Sequence, residues 1–284
     1  MNKLLGTVLT SALTISLLAG CGTSTSSKKK VGIIQFMDHT SLNEIKDSFD
    51  KEMKTLGYDD KNIEYTFKNG QGDTNTCASI ANDFAGKNFD CVMAIATPAA
   101  QAVAKLATKT PVVFSAVTDP VGAQLTSSLT KPDKNITGTS DEVQVDQIID
   151  KALEINPNTK TIGMLYNKGE ANSVTNIKKA KAYCAKKNIK VEEATIASVN
   201  EAQSAVNVLN SKCDAIFAPN DNTVASAMNV VSDACKKANK PLYVGADSMV
   251  KDGGFLSVGI DYKELGKETA KIVDKVLKLS LIHI

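Results

Sequence analysis

From residue 31 onward, short unbroken apolar runs alternate with longer stretches in which apolar residues recur every three or four positions. VGIIQF (31–36) reads as a β-rich run, and in LNEIKDSFDKEMKTLGY the residues Leu42, Ile45, Phe49, Met53 and Leu56 share one helical face. NIEYTF predicts a second strand, ASIANDFAGK a helix, CVMAIA a third strand, the residues from Ala99 a helix, and PVVFSA a fourth strand. Strand alternating with helix predicts a parallel sheet covered on both sides.

The second half repeats the plan. TIGMLYN, VTNIKKAKAYCAKKN, IKVEEATI, EAQSAVNVLNSK, CDAIFAP, TVASAMNVVSDACKKAN and PLYVGA alternate in the same order, with strands at TIGMLYN, IKVEEATI, CDAIFAP and PLYVGA. Gly32-Ile33 corresponds to Gly163-Met164, Cys91 to Cys213, and Pro111-Val112-Val113 to Pro241-Leu242-Tyr243. Such self-similarity predicts two Rossmann-like α/β lobes of like topology. KPDKNITGTSDE, turn-rich and weakly structured, lies between the copies, and GFLSVGIDYKELG reads as a return crossing. The expected division is lobe 1 over 31–138 plus 261–278 and lobe 2 over 139–260, with the helix at 262–278 packing on lobe 1.

The ends follow different rules. Residues 1–20 carry Lys3, an apolar run and then LAG before Cys21. The run is short for a membrane span and reads as a bacterial signal sequence. LAGC looks like a lipobox, in which Cys21 becomes a lipid-bearing N-terminus and two or more acyl chains anchor it durably. GTSTSSKKK then reads as a polar tether, giving a tethered segment over 21–30. The last residues, LSLIHI, fit no amphipathic face, and 279–284 are expected to be a foreign or truncated tail.

Composition narrows the function classes. Removing residues 1–20 takes away one lysine, so the formal charge falls from +2 to +1, and no basic patch suggests nucleic acid. Five cysteines remain after Cys21, with no CxxC pair, which argues against a zinc site and against a complete disulfide framework. Neither metal nor cofactor is expected. No GxSxG, HExxH, P-loop or GxGxxG occurs, so an enzyme is not expected either.

In open parallel sheets, ligands sit outside the carboxyl ends of the strands. Two facing lobes would bring those ends to one cleft, which makes the strand-to-helix turns the candidate site. In the first lobe they offer His39, Thr97, Ala99, Ala100, Ser115, Val117 and Thr118. Thr97 suits an N-cap and Pro98 the first helical position, while the N–H groups of Ala99 and Ala100 are candidates for receiving a carboxylate. Capping alone explains the same residues. The second lobe offers Asn167, Glu170, Asn172, Asp221, Asn222, Asp247 and Ser248, each of which can equally cap the following helix. Donors on one lobe and acids on the other suit a zwitterion, with Asp221 and Asp247 as the expected ammonium partners. Phe36, Phe114 and Tyr166 lie near strand ends and read either as ring-flanking or as core.

VGIIQFMDH, ATPAAQAVA, PVVFSAVTDPVGA, NITGTSDE, LYNKGEANS, APNDNTVASA and GIDYKELG occur in order behind the lipobox. Over residues 31 to about 278 the chain resembles the ABC-transporter substrate-binding lipoproteins related to tryptophan and tyrosine transport binding proteins. The resemblance implies a hinged, two-lobed periplasmic-binding-protein fold of type I with three crossings, and uptake of an amino acid, often aromatic. It also implies a segment of some tens of residues past the last helix seen here. The expected protein is a monomeric, lipid-anchored binder on the extracytoplasmic face of the cell membrane that delivers a small molecule to an ABC permease. A ligand sensor for a signalling partner and a carboxylate-based hydrolase are the alternatives. A sugar binder is disfavoured because the chain has no tryptophan to stack on a sugar ring.

Overall fold

A computed structural model describes residues 28–279. The signal sequence, Cys21, most of the tether and nearly all of the expected tail lie outside the described residues.

Lobe 1 is built on β1 (Lys29–Gln35), α1 (Thr40–Thr55), β2 (Ile63–Asn69), α2 (Thr74–Ala85), β3 (Cys91–Ile95), α3 (Thr97–Val103), β4 (Val112–Ser115) and β5 (Ile136–Gly138). Its five strands are all parallel, in the order β2-β1-β3-β4-β5. β3 and β4 are buried along their whole length, which is why CVMAI and VVFS are continuous apolar runs rather than alternating ones. Edge strand β2 alternates apolar and polar residues and is largely exposed, Tyr65 and Phe67 included.

The chain then crosses into lobe 2, which contains α4 (Val145–Ile155), β6 (Thr161–Tyr166), α5 (Ala171–Lys186), β7 (Lys190–Thr195), α6 (Ala202–Asn210), β8 (Ala215–Ala218), α7 (Asn222–Ser226), α8 (Met228–Lys237), β9 (Leu242–Val244) and α9 (Asp247–Lys251). The sheet order is β7-β6-β8-β9, again parallel. A single parallel bridge from Tyr243 to Leu256 begins the way back.

α10 (Tyr262–Lys278) returns to lobe 1 and packs along α1. Asp261 starts it by accepting from the N–H groups of Lys263 and Glu264. Tyr262, Gly266, Thr269, Ala270, Val273 and Leu277 form its buried stripe. A Cβ at Gly266 would strike Ser48 Oγ and the Ile45 carbonyl, so this glycine sets how closely α10 approaches α1.

Three features depart from the sequence reading. The segment read as weakly structured contains β5, whose Gly138 pairs with Phe114 and leaves no room for a side chain against the Phe114 carbonyl. α4 was not anticipated, although Val145, Ile148, Ile149 and Ala152 carry a clear three-to-four spacing and are all buried. The helix expected over TVASAMNVVSDACKKAN is broken at Ala227 into α7 and α8.

The core explains the remaining cysteines. Cys77, Cys91, Cys184, Cys213 and Cys235 are buried and unpaired, and burial pushes their thiols up to about 11 or 12. They act as small core residues. Phe36 and Phe114 belong to the lobe 1 core, while Tyr166 donates to Glu193 on the surface of lobe 2 at 2.9 Å.

Candidate functional site

In each sheet the chain runs from a central strand to one edge and then resumes on the other side, so the order reverses between β1 and β3 and again between β6 and β8. The loops leaving these strands diverge and open a crevice at their carboxyl ends. Here the two crevices meet. A tightly closed cavity is lined from lobe 1 by His39, Ser41, Leu42, Ala96, Thr97, Ala116 and Thr118, and from lobe 2 by Asn172, Asn220, Asn222, Ala225, Ala246 and Met249. Asp141, on the crossing between lobes, and Tyr262, at the start of α10, complete the wall.

Asp141 organises the hinge side. It is 4 % exposed, and its carboxylate accepts from Thr118 Oγ1 at 2.8 Å, Asn220 Nδ2 at 2.8 Å and the Tyr262 hydroxyl at 3.1 Å. Burial outweighs these three donors and raises the carboxyl to about 6. Burial and the neighbouring Asp141 push the Tyr262 phenol well above its ordinary value, so it remains a donor. Asn220 is fixed in turn by Asn176, whose amide donates to Asn220 Oδ1 at 2.7 Å, and by Asn172, which donates to its carbonyl at 3.1 Å. Gly245 makes this possible, because any side chain there would strike the Asn220 N–H.

Two strand exits carry unusual backbone. Ala96 has φ 79° and ψ 155°, and Ala116 has φ 56°. A residue with a Cβ at positive φ is strained, and such strain gathers at ligand sites. Both residues line the cavity.

The lobes are bridged by hydrogen bonds. Asn220 Nδ2 reaches Thr118 Oγ1 at 2.9 Å, His39 Nε2 meets Asn222 Oδ1 at 3.1 Å, Thr40 Oγ1 donates to Asp252 at 2.7 Å, and Ser41 pairs with Ser248. Lys251 adds an ion pair to Glu44 at 3.1 Å.

The residues singled out from sequence divide sharply. His39, Thr97, Thr118, Asn172 and Asn222 line the cavity. Thr97 is not the cap of α3. It is the first helical residue, Ala96 takes the cap position, and the buried Thr97 hydroxyl has no protein partner. Ala99 and Ala100 are buried behind it, and the Ala100 N–H already donates to the Ala96 carbonyl at 3.0 Å. Of the two N–H groups considered, only that of Ala99 falls in the first turn, where a helix supplies no acceptor.

The others serve as scaffold. Ser115 accepts from Thr269 Oγ1 at 2.9 Å beneath α10, and the Val117 N–H donates to the Thr139 carbonyl at 3.3 Å. Asn167 spends its side chain on Thr223 and Gly169. Asp221 does not face the cavity. It caps α7 through the Val224 N–H at 2.8 Å and accepts from the Asn167 N–H and Ser173 Oγ, both at 2.6 Å. Burial raises its carboxyl. Glu170 lies one layer behind the wall and accepts from the backbone and side chains of Asn222 and Thr223. Asp247 pairs with Lys251 at 3.1 Å at the rim, with Oδ1 buried and unpartnered.

Sequence reasoning gave no role to Asp141, Asn220 or Tyr262. Their signals were NITGTSDE, APNDNT and GIDYKELG, polar clusters at lobe crossings or strand ends that were read as turns or recognised as motifs without a task.

The chain matches the profile described as ABC transporter substrate binding protein over residues 30–280. It belongs to that family. Within the family it is 33 % identical to a tyrosine-binding protein of Clostridioides difficile strain R20291, over 98 % of this chain and 84 % of the relative. The crystal structure of an ABC domain in complex with L-Trp from Streptococcus pneumonia is 39 % identical, with a TM-score of 0.86 over 89 % of this chain and 86 % of that one. The ligand-free, open structure of a substrate binding protein with adhesive properties from Clostridium difficile is 37 % identical, covers 90 % of this chain and 88 % of that one, and gives only 0.65. Nearly equal identity with such different fits points to the angle between lobes, since hinge rotation lowers a whole-chain score without altering either lobe. The lobes here stand as in the L-Trp complex. Solute-binding proteins at 17 % and 12 % identity, with TM-scores of 0.67 and 0.64, share the type I periplasmic-binding-protein fold alone. The protein is thus an extracytoplasmic ABC transporter substrate-binding protein, and among the described residues no helix is long and apolar enough to cross a membrane.

Proposed function

We propose that this protein captures an aromatic amino acid between its lobes and hands it to an ABC permease. The observation that carries the reading is the charge pattern of the cavity. Asp141 is the one carboxylate on its wall, no lysine lines it, and the chain contains no arginine. A buried carboxylate calls for a cation, and an amino acid's ammonium supplies it. Its carboxylate then has no side-chain cation to meet and rests on neutral donors, the unpartnered Thr97 hydroxyl and the first-turn Ala99 N–H. The Oδ1 of Asn172, also buried without a partner, is a second acceptor for the ammonium. Leu42, Ala225, Ala246 and Met249 leave an apolar stretch for a ring. The tyrosine-binding and L-Trp-bound relatives support the aromatic choice.

Binding between the lobes stabilises the closed arrangement, and shifting it from 1:99 to 99:1 takes about 5.5 kcal/mol of preference for that state. In this reading the site binds and releases its ligand unchanged, in keeping with the substrate-binding family. The protein acts as a monomer in this reading. An acylated Cys21 would confine the protein to the membrane surface beside its permease and raise their effective concentration.

Isothermal titration of the purified protein against the amino acids and a panel of polyols tests the reading. Heat with tyrosine or tryptophan is expected; saturable binding of a polyol alone, or none with any amino acid, would overturn it.

A further inference from the structure

Glu170 is 2 % exposed; burial and the neighbouring Asp221 charge raise its carboxyl to about 7 against the lowering effect of the Asn222 and Thr223 donors, and five donors converge on its two oxygens. Its Oε1 accepts from the Thr223 N–H at 3.1 Å and Thr223 Oγ1 at 2.9 Å, while Oε2 accepts from the Asn222 N–H at 3.2 Å, Asn222 Nδ2 at 2.5 Å and Asn172 Nδ2 at 3.3 Å. An Asn222 amide turned the other way would set its oxygen against Glu170 Oε2, an acceptor that already receives the Asn222 N–H. Glu170 therefore fixes which end of that amide faces the cleft. The end that does is Oδ1, an acceptor, and it lies 3.1 Å from His39 Nε2 on the opposite lobe.

Only a protonated Nε2 can donate there. Burial, the largest influence, holds the imidazole down at about 4 against the raising effects of the Asn222 bond and of the Asp252 and Asp38 charges, so the ring is neutral at pH 7 and carries one proton. That proton is on Nε2. Nδ1 is then a bare lone pair, buried and without a protein partner. His39 also lines the outer pocket with Asp38, Thr40, Asn229 and Asp252, which places it at the lip of the cleft, whereas Asp141 lies on the lobe crossing.

We propose that Glu170, acting through Asn222, is a positioning residue that locks His39 in its Nε2–H tautomer when the lobes meet, so that Nδ1 accepts a hydrogen bond from the far end of the ligand side chain. This rests on the amino-acid reading above and deepens it: the favoured ligands are rings bearing a donor, a phenol O–H or an indole N–H, over a bare phenyl. A buried acceptor left unmet would weaken binding of phenylalanine relative to tyrosine by about fivefold to a hundredfold.

The chain has two histidines, His39 and His283, so ¹⁵N-histidine labelling gives few ring signals, and a His283→Ala variant assigns them. The expected spectrum of the tyrosine-saturated full chain shows His39 with a protonated Nε2 and an unprotonated Nδ1, and Glu170→Gln shifts it toward a tautomer mixture. An Nδ1–H tautomer in the unsubstituted protein would overturn the relay whether or not Glu170→Gln folds. Titration with tyrosine and phenylalanine is the second arm. Discrimination in the unsubstituted protein that disappears in His39→Leu supports the proposal, and equal affinity for both ligands in the unsubstituted protein overturns it while leaving the amino-acid reading intact. If neither these two nor tryptophan binds, the amino-acid reading itself falls, and this inference with it.

Discussion

Replacing Asp141 by Asn keeps the shape of the side chain and removes its charge. Thr118, Asn220 and Tyr262 all donate to this carboxylate, and an amide offers them one oxygen and an unwanted N–H₂. The larger effect falls on the ligand, whose ammonium would be buried without its counter-charge. Breaking a buried ion pair by removing one partner costs about 3–5 kcal/mol, so affinity for tyrosine or tryptophan should fall by roughly two to three and a half orders of magnitude. The unsubstituted protein should also show pH dependence. With the free carboxyl at about 6, the ionised fraction falls from about ten-elevenths at pH 7 to about one-eleventh at pH 5, so affinity should drop about tenfold over that interval. Calorimetric titration at both pH values, with buffers of different ionisation heat to count the protons released, measures this directly. Asp141→Asn binding within threefold of the unsubstituted protein at pH 7, or a flat profile from pH 7 to pH 5, would refute the assignment of the ammonium to Asp141.

Stability of the ligand-free protein should respond to the same group with the opposite sign. Because burial raises the Asp141 carboxyl from 3.8 to about 6, its stabilising contribution is full below pH 3.8 and is lost as pH rises through 6. Relative to Asp141→Asn, the unsubstituted protein should gain up to about 3 kcal/mol on going from pH 7.5 to pH 4, read as the difference between two denaturant-unfolding series. Thr97→Val removes a hydroxyl that bonds nothing in the protein, so Tm should hold or rise while ligand affinity falls by about 1–3 kcal/mol; equal losses in both would assign the hydroxyl to folding. Asp221→Ala should behave in reverse, destabilising the protein by roughly 2–5 kcal/mol through the freed Asn167, Ser173 and Val224 donors. If it left stability untouched and abolished binding, the ammonium would belong to Asp221.

The alternation of β-rich runs with helical spacing carried the two-lobed architecture, because strands buried on both faces are apolar throughout and helices buried on one face are periodic. It also carried the general location of the site, since strand-to-helix turns in parallel sheets have a fixed sense. The division of labour within the site was not legible. Asp221 and Asp141 look alike as acids beside turns, and only the fold shows that one is spent on α7 and two backbone or hydroxyl donors while the other meets Thr118 and Asn220 across the hinge. Tyr262 was hidden for another reason: as the first residue of α10 it reads as part of an amphipathic stripe, and its hydroxyl reaches Asp141 only because the chain returns to lobe 1 there. Ala96 shows the same limit in backbone form, for nothing in ATPAA announces an alanine at φ 79°.

The most direct measurement is a crystal structure of the protein grown with tyrosine or tryptophan. The expected density lies between the lobes, with the ammonium in hydrogen-bond contact with Asp141 and the carboxylate at Thr97. A ligand bound on an outer surface, or in the cleft with its ammonium on Asp247 and Asp141 untouched, would contradict the central claim.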